Sequence, residues 1–175
     1  MTAPAEFVPE TIAAAALRIA ASDQSGESVA IIGGETDIDI GNPPGRADLV
    51  IRTTKLDRVV EHAPSDQIIA VEAGATLARV QEVVRAHGQR LALDPPQPDR
   101  ATIGGIVAAN AFGPLRTRFG SVRDLIIGVS IIRSDGVIAH GGGKVVKNVA
   151  GFDLPKLMVG SLGTLGMIAT VTFRL

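Results

Sequence analysis

The chain has no cysteine, no tryptophan and no tyrosine, and just 5 phenylalanines in 175 residues. Without cysteine there is no disulfide framework, no thiolate-bound zinc or iron–sulfur cluster and no thiol nucleophile. Without large aromatics, the core must be filled by alanine, valine, isoleucine and leucine. Histidine is scarce as well. His62, His87 and His140 stand far apart with no metal-ligand spacing between them, and His87 precedes Gly88 where a cation suits a helix end. The motif G-x-S-x-G is absent, so Ser161 is no nucleophile elbow. Charge of one sign is missing too, with 17 Lys+Arg against 18 Asp+Glu. That balance excludes the electrostatics of a general nucleic-acid binder. No stretch reaches the ~18 apolar residues of a membrane span. The first ten residues carry no basic region, and the run Ala13 to Ala16 is short and followed by Arg18. The expectation is a soluble cytoplasmic domain.

What the chain does have is glycine and proline, 20 and 10 of them, concentrated after Gly33. Pro9-Glu10-Thr11 opens a helix whose Ile12, Ala15, Ala16 and Ile19 share one face. Ser28 to Ile32 reads as a buried strand ending in Gly33-Gly34. Asn42 to Gly45 is a turn, and Asp48 to Arg52 a second strand. Leu56, Val59 and Val60 suggest one or two helical turns. Gln67 to Glu72 is a third strand, after which Thr76 caps a helix bearing Leu77, Val80 and Val84, with Gly88 closing it. Alternation of helix and strand over the first ninety residues predicts a small, mostly parallel sheet.

Asp94-Pro95-Pro96-Gln97-Pro98-Asp99 can be neither helix nor interior strand. It reads as a hinge between two subdomains, residues 1–94 and 95–175. Beyond it come a small-residue helix, Ile103 to Asn110, and a loop, Gly113 to Gly120. A long strand, Leu125 to Arg133, turns at Ser134-Asp135-Gly136 into a returning strand, Val137 to His140. Gly141 to Gly143 is a loop, Asp153 to Met158 a short helix, Gly160 to Gly166 a glycine turn, and Met167 to Leu175 the last strand. This half predicts antiparallel pairing, so the fold class is α+β.

The informative feature is backbone rather than side chain. Four glycine-bearing loops follow apolar segments: Gly33 to Asp37, Ala101 to Gly105, Gly113 to Ser121 and Gly160 to Gly166. Glycines let a main chain approach a ligand and aim successive N–H groups at an anion. Hydroxyls accompany them at Thr36, Thr102, Ser121 and Thr164. Together they suggest a long, phosphate-bearing ligand. A simple Rossmann fingerprint is excluded, because Gly160 to Gly166 lacks G-x-G-x-x-G spacing and lies between a helix and a following strand.

The order of these segments resembles a known family. They are Asp94-Pro95-Pro96, Ala101 to Asn110, Arg118 to Asp124, Gly142 to Leu154 and Gly160 to Gly166. The chain from about Val29 to Leu175 resembles the FAD-binding domain of the vanillyl-alcohol oxidase/p-cresol methylhydroxylase (PCMH-type) superfamily, and within it the E subunits of bacterial glycolate oxidases. The resemblance implies two α+β subdomains with FAD between them. It implies a diphosphate on Gly33, Gly34, Glu35, Thr36 and Asp37, and on Thr102, Gly104 and Gly105. Pro95 and Pro96 would lie beside it, while Asn110, Gly120, Ser121 and Asp124 would follow the flavin. Gly163, Thr164, Gly166 and Ile168 would help hold the nucleotide. Lys147 would place a cation beside the flavin.

Three departures from the family pattern carry weight. The first loop has no histidine and the chain no cysteine, so FAD is expected to bind non-covalently. That loop is acidic through Glu35, Asp37 and Asp39. The chain stops at Leu175 where family members continue into a substrate-covering domain, and Phe152 stands where tyrosine is common. The resemblance implies an FAD-dependent 2-hydroxy-acid oxidoreductase of the glycolate type, with no metal and no catalytic acid or base assigned. Turnover is expected to need the missing domain or partner subunits, an iron–sulfur subunit among them. Location would be cytoplasmic, or peripheral to the inner membrane through those partners. Two other readings stay open: a flavin subunit of a molybdenum hydroxylase, and a non-catalytic assembly subunit.

Overall fold

The computed structural model describes residues 3–40, 47–143 and 152–175. The first unit is a three-stranded parallel sheet. Strand β1 (Ala5–Phe7) leads into helix α1 (Ile12–Ser25), then β2 (Val29–Ile32) and β3 (Leu49–Arg52). Their spatial order is β1-β3-β2, with Val29 opposite Leu49 and Ile32 opposite Arg52. Thr11 caps α1 by accepting from the Ala14 amide at 3.1 Å, and Gly26, at φ 71°, ends it. The turn expected at Asn42 to Gly45 lies outside the described residues.

A 3-10 turn, Thr53–Lys55, leads into the second unit. This is a five-stranded antiparallel sheet ordered β4-β5-β8-β6-β7. Its strands are β4 (Val59–Ala63), β5 (Ile68–Glu72), β6 (Ile126–Ile132), β7 (Ile138–Gly142) and β8 (Met167–Arg174). Helices α2 (Leu77–Arg85) and α3 (Ile103–Ala109) follow β5. Two single turns, α4 (Arg116–Phe119) and α5 (Val122–Leu125), precede β6, and α6 (Leu154–Met158) precedes β8. The α+β class is as read from the sequence.

Three local readings need correction. Val59 and Val60 lie in strand β4, not in a helix. Their spacing mimics a helical face, but β4 is an outer strand held by β5, a partner the local pattern does not reveal. The first ninety residues do not form one parallel sheet, because β4 and β5 belong to the antiparallel one. Gly141 and Gly142 extend β7, opposite Val129 and Gly128, instead of forming a loop. The chain changes sheet between β3 and β4. Asp94 to Asp99 therefore does not divide one sheet from the other: β5, before it, pairs with β8, after it, from Ile68–Arg174 to Glu72–Thr170.

Two apolar clusters hold this together. The larger packs α2, α3, α5 and Met158 of α6 on one face of the antiparallel sheet. The smaller joins Ala15, Ala16 and Ile19 of α1 and Leu49 and Ile51 of β3 to Ile132, Met167 and Ala169. It is the joint between the sheets. Phe173, fully buried in β8 opposite Ile69, is among the largest side chains in the main core. Replacing Phe173 by alanine is expected to cost about 3–5 kcal/mol of unfolding free energy, read as a drop in the urea midpoint with an unchanged slope.

Candidate functional site

Strands β2 and β3 end side by side, and the chain leaves them at Gly33 and Arg52. In parallel sheets, ligands bind beyond the carboxyl ends of the strands. A cleft of about 470 Å³ lies there. Gly33, Gly34, Glu35, Arg52 and Thr54 form one wall; Gly74, Thr76, Arg79, Arg100 and Thr102 line the other, with Asp57 between.

The second wall is built from two helix starts bonded to each other. Thr76 and Thr102 cap α2 and α3 and form an isolated antiparallel bridge. The Leu77 amide donates to Ala101 O at 3.0 Å, Ile103 to Ala75 O at 2.8 Å and Gly104 to Ala73 O at 2.7 Å. The Gly105 amide donates to Thr102 Oγ1 at 3.3 Å. The first-turn amides of α3 are therefore already used within the protein. The two adjacent glycines also differ in role. A Cβ on Gly104 would stand 2.8 Å from Ala73 Cβ, inside packed structure. A Cβ on Gly105 would meet Thr102 Oγ1 alone, at 3.1 Å. Gly104 thus serves packing, and Gly105 leaves space for a close approach.

Free donors lie on the first loop, which lines the cleft at Gly33, Gly34 and Glu35. Within the described residues, the amides of Gly34, Glu35, Thr36 and Asp37 donate to nothing. Glu35 has φ 58°, the left-handed turn found in anion-binding nests of successive amides. A Cβ on Gly34 would collide with the Arg100 carbonyl, so glycine is what lets the two walls meet.

Part of the loop's acidity is compensated, at Glu35. Arg52 pairs with both Glu35 and Glu6, and Thr36 Oγ1 donates to Asp37 at 2.8 Å. Arg79 pairs with Asp57 at 2.6 Å. Among the described residues Arg100 makes no ion pair; it donates to Gly34 O at 3.3 Å and to Gln97 Oε1 at 3.0 Å. These arginines were not among the residues singled out from the sequence. Arg52 had a signal, a cation at the last position of a strand running into the cleft.

The remaining expected residues fall elsewhere. Pro95 is buried and Pro96 exposed, away from this cleft. Asn110 caps the far end of α3, at φ 52°. Its Oδ1 and the hydroxyl of Ser161 are buried without a hydrogen-bond partner among the described residues. Ser161 belongs to the loop docked on α3 through Gly160 N to Val107 O, 3.0 Å, and Leu162 N to Ala108 O, 2.9 Å. Unpaired buried polar atoms are costly and call for a partner. The seven residues of α3 separate them from the cleft by about 10 Å of helix rise. In the same loop Thr164 Oγ1 donates to Ser161 O at 2.7 Å, with Gly163 and Gly166 at positive φ. Ile168 is buried in β8, opposite Ile131. Lys147 lies outside the described residues.

Those features fit an elongated ligand with an anionic middle. Comparison with known proteins decides its nature: residues 3–142 match the FAD binding domain family. The chain belongs to that family. A curated relative, glycolate oxidase subunit GlcE of Escherichia coli (strain K12), is 39% identical over 66% of this chain and 33% of its own length. D-lactate dehydrogenase of Archaeoglobus fulgidus is 34% identical over 82% of this chain and 32% of its own. An alkyldihydroxyacetonephosphate synthase structure superposes with a TM-score of 0.82 at 18% identity, over 97% of this chain and 31% of that one. The fold is thus the PCMH-type FAD-binding fold, and the chain spans about a third of these relatives.

In this FAD-binding domain, Gly120, Ser121 and Asp124 form a self-contained cap. The Ser121 amide and hydroxyl donate to Asp124 Oδ2 at 2.7 and 2.8 Å. These bonds, the backbone one first, hold the Asp124 carboxyl below the ordinary aspartate range. A carboxylate stabilised in the folded state contributes above its unfolded pKa, near 4, and that contribution fades as pH falls through the folded value. Asp124→Ala is therefore expected to lower the urea midpoint at neutral pH, with the difference from wild type closing as pH falls below the ordinary aspartate range.

The neighbouring glycines offer a matched test. Gly105→Val should leave the circular dichroism spectrum intact and abolish FAD binding in a fluorescence titration. Gly104→Val should destabilise the domain by about 1–3 kcal/mol through overpacking. A folded Gly105→Val protein binding FAD as tightly as wild type would falsify this division of labour.

Proposed function

We propose that this chain is the cofactor-holding part of a flavin-dependent oxidoreductase acting on 2-hydroxy acids of the glycolate type. The observation that carries the reading is the cleft itself. Both of its walls, Gly33 to Glu35 and Arg100 to Thr102, fall within the span matched to the FAD binding domain family. The names of the two curated relatives support the substrate class, since glycolate and D-lactate are both 2-hydroxy carboxylates. The word "subunit" in the first supports work within an assembly.

The residues present fit FAD. The open amides of Gly34 to Asp37 and the unpaired Arg100 would receive the diphosphate. Gly105 would let it lie against α3. Asn110 Oδ1 and the Ser161 hydroxyl, at the other end of α3, would meet polar edges of a ligand extending along the helix. When bound, FAD would supply the acceptor for the two electrons of alcohol oxidation, which leave the alcohol carbon as a hydride equivalent. The chain's own part is to bind, orient and balance charge. No side chain of the described cleft is a histidine or cysteine, and attachment is non-covalent in this reading.

The test is a visible spectrum of the purified protein followed by acid precipitation. All flavin should appear in the supernatant, and yellow colour remaining with the pellet would overturn non-covalent binding. Anaerobic bleaching by glycolate or D-lactate in the assembled complex, but not by primary alcohols lacking the carboxylate, would support the substrate class. Equal bleaching by both kinds of alcohol would exclude it.

A further inference from the structure

On another face, the exit of α2 and the α4 turn bring arginines together around phenylalanines. The Arg90 guanidinium stacks 4.5 Å from the Phe119 ring centre, with Arg118 at 5.4 Å from the same ring. Arg116 stands 4.3 Å over Phe112, which is half exposed. Arg85 lies on the last turn of α2. None of these four makes an ion pair within the described residues. Elsewhere the common state of a cation is pairing, as at Arg18, Arg52, Arg58, Arg79 and Arg133.

A second cavity, of about 380 Å³, opens within this patch. Arg85 and Arg90 line it together with Leu91, Pro95, Pro98 and Leu115. One carboxylate is close, Asp94, and it accepts from the Leu115 amide at 2.9 Å.

We propose that this arginine–phenylalanine face docks an acidic segment of a partner protein, one large apolar side chain of which enters the cavity lined by Leu91, Pro95 and Leu115. An arginine stacked on a ring is held in place and keeps its N–H edge for two-point bonding to a carboxylate. Arginine and aromatic side chains around an apolar pocket are the composition of binding hot spots. The charges are spread from Arg85 at the end of α2 through Arg90 to Arg116 and Arg118 of α4, which suits an extended chain better than one small anion. A lipid surface is less well matched, because the patch holds no lysine and its cavity is recessed. With a formal net charge of -1 the chain offers no general attraction for polyanions, so the attraction is local. This goes beyond the cofactor reading and does not depend on it.

The test uses the full 175-residue chain and a fluorescein-labelled peptide of glutamates around a single phenylalanine, read by anisotropy. Wild type should bind it, and affinity should fall as salt is raised. Charge reversal by Arg90→Glu with Arg118→Glu should weaken binding by about a hundredfold, and Arg116→Glu alone by about tenfold. Replacing the peptide's phenylalanine by alanine should weaken binding by about tenfold. Circular dichroism and FAD titration should be unchanged in these variants, which separates failure of this surface from failure of the flavin cleft. Equal binding by wild type and the reversed variants would overturn the proposal. So would indifference to the phenylalanine, or tighter binding to inorganic phosphate or phosphatidylglycerol vesicles than to the peptide.

Discussion

The 2.7 Å hydrogen bond from the Gly104 amide to the Ala73 carbonyl sets the geometry of the cleft. It requires the helix backbone of α3 to lie against the end of β5, and Ala73 Cβ leaves no room for a side chain at position 104. Once that contact is made, Ile103 reaches Ala75 and Leu77 reaches Ala101. The starts of α2 and α3 then satisfy each other, as buried amides must. The consequence for function is indirect. A helix N-terminus is a ready anion site when its amides are free, but these are not. The donors available to a diphosphate are instead the loop amides of Gly34 to Asp37 on the facing wall. In the proposed reading the helix pair would provide the rigid wall and the glycine loop the bonds.

Charge in the cleft follows from pairing rather than composition. Three carboxylates in and after the first loop look hostile to a phosphate when read along the chain. In space, one of them, Glu35, shares Arg52 with Glu6, and Asp37 accepts from the Thr36 hydroxyl; elsewhere in the cleft Asp57 is held by Arg79. Arg100 is left unpaired at the mouth. Exposed pairs of this kind stabilise the fold weakly, by about 0–1 kcal/mol each. Their larger effect is on the local field that a bound anion meets, because each pair removes a repelling charge without removing the residue.

Much of this was legible in the chain. The cap Thr76 sits where a hydroxyl before apolar periodicity placed it, and Thr11 caps the helix that Pro9-Glu10-Thr11 was read to open. The first glycine loop and the Ala101 to Gly105 segment do meet across one cleft. What escaped reading was non-local. Strand β1 is three residues long, too short for any periodicity. Strand β4 has no clean alternation, with most of its residues half-buried, so the i, i+3, i+4 spacing of Leu56, Val59 and Val60 misled. Arg52, Arg79 and Arg100 are far apart in sequence and converge only through the fold. Glycines 104 and 105 look identical as letters, yet one faces Ala73 and the other only the Thr102 hydroxyl.

The cleft also depends on the end of the chain. Strand β8 lies between β5 and β6, so the antiparallel sheet is joined by residues 167–174. The Ala73 amide donates to Ala169 O at 2.9 Å while its carbonyl accepts from Gly104. Ala73 thus links β8 to α3, and Met167 and Ala169 of β8 pack on α1 and β3 of the parallel unit. A strand so distant in sequence can pair only after a long loop has closed, which slows folding. Both walls therefore reach their final spacing when β8 docks: one through Ala73, the other through the shared apolar joint. A ligand touching both walls binds this finished state in preference to earlier ones and stabilises it by mass action. Binding at the cleft and closure of the sheet are on that argument one coupled equilibrium, with Ala73 as the residue common to both.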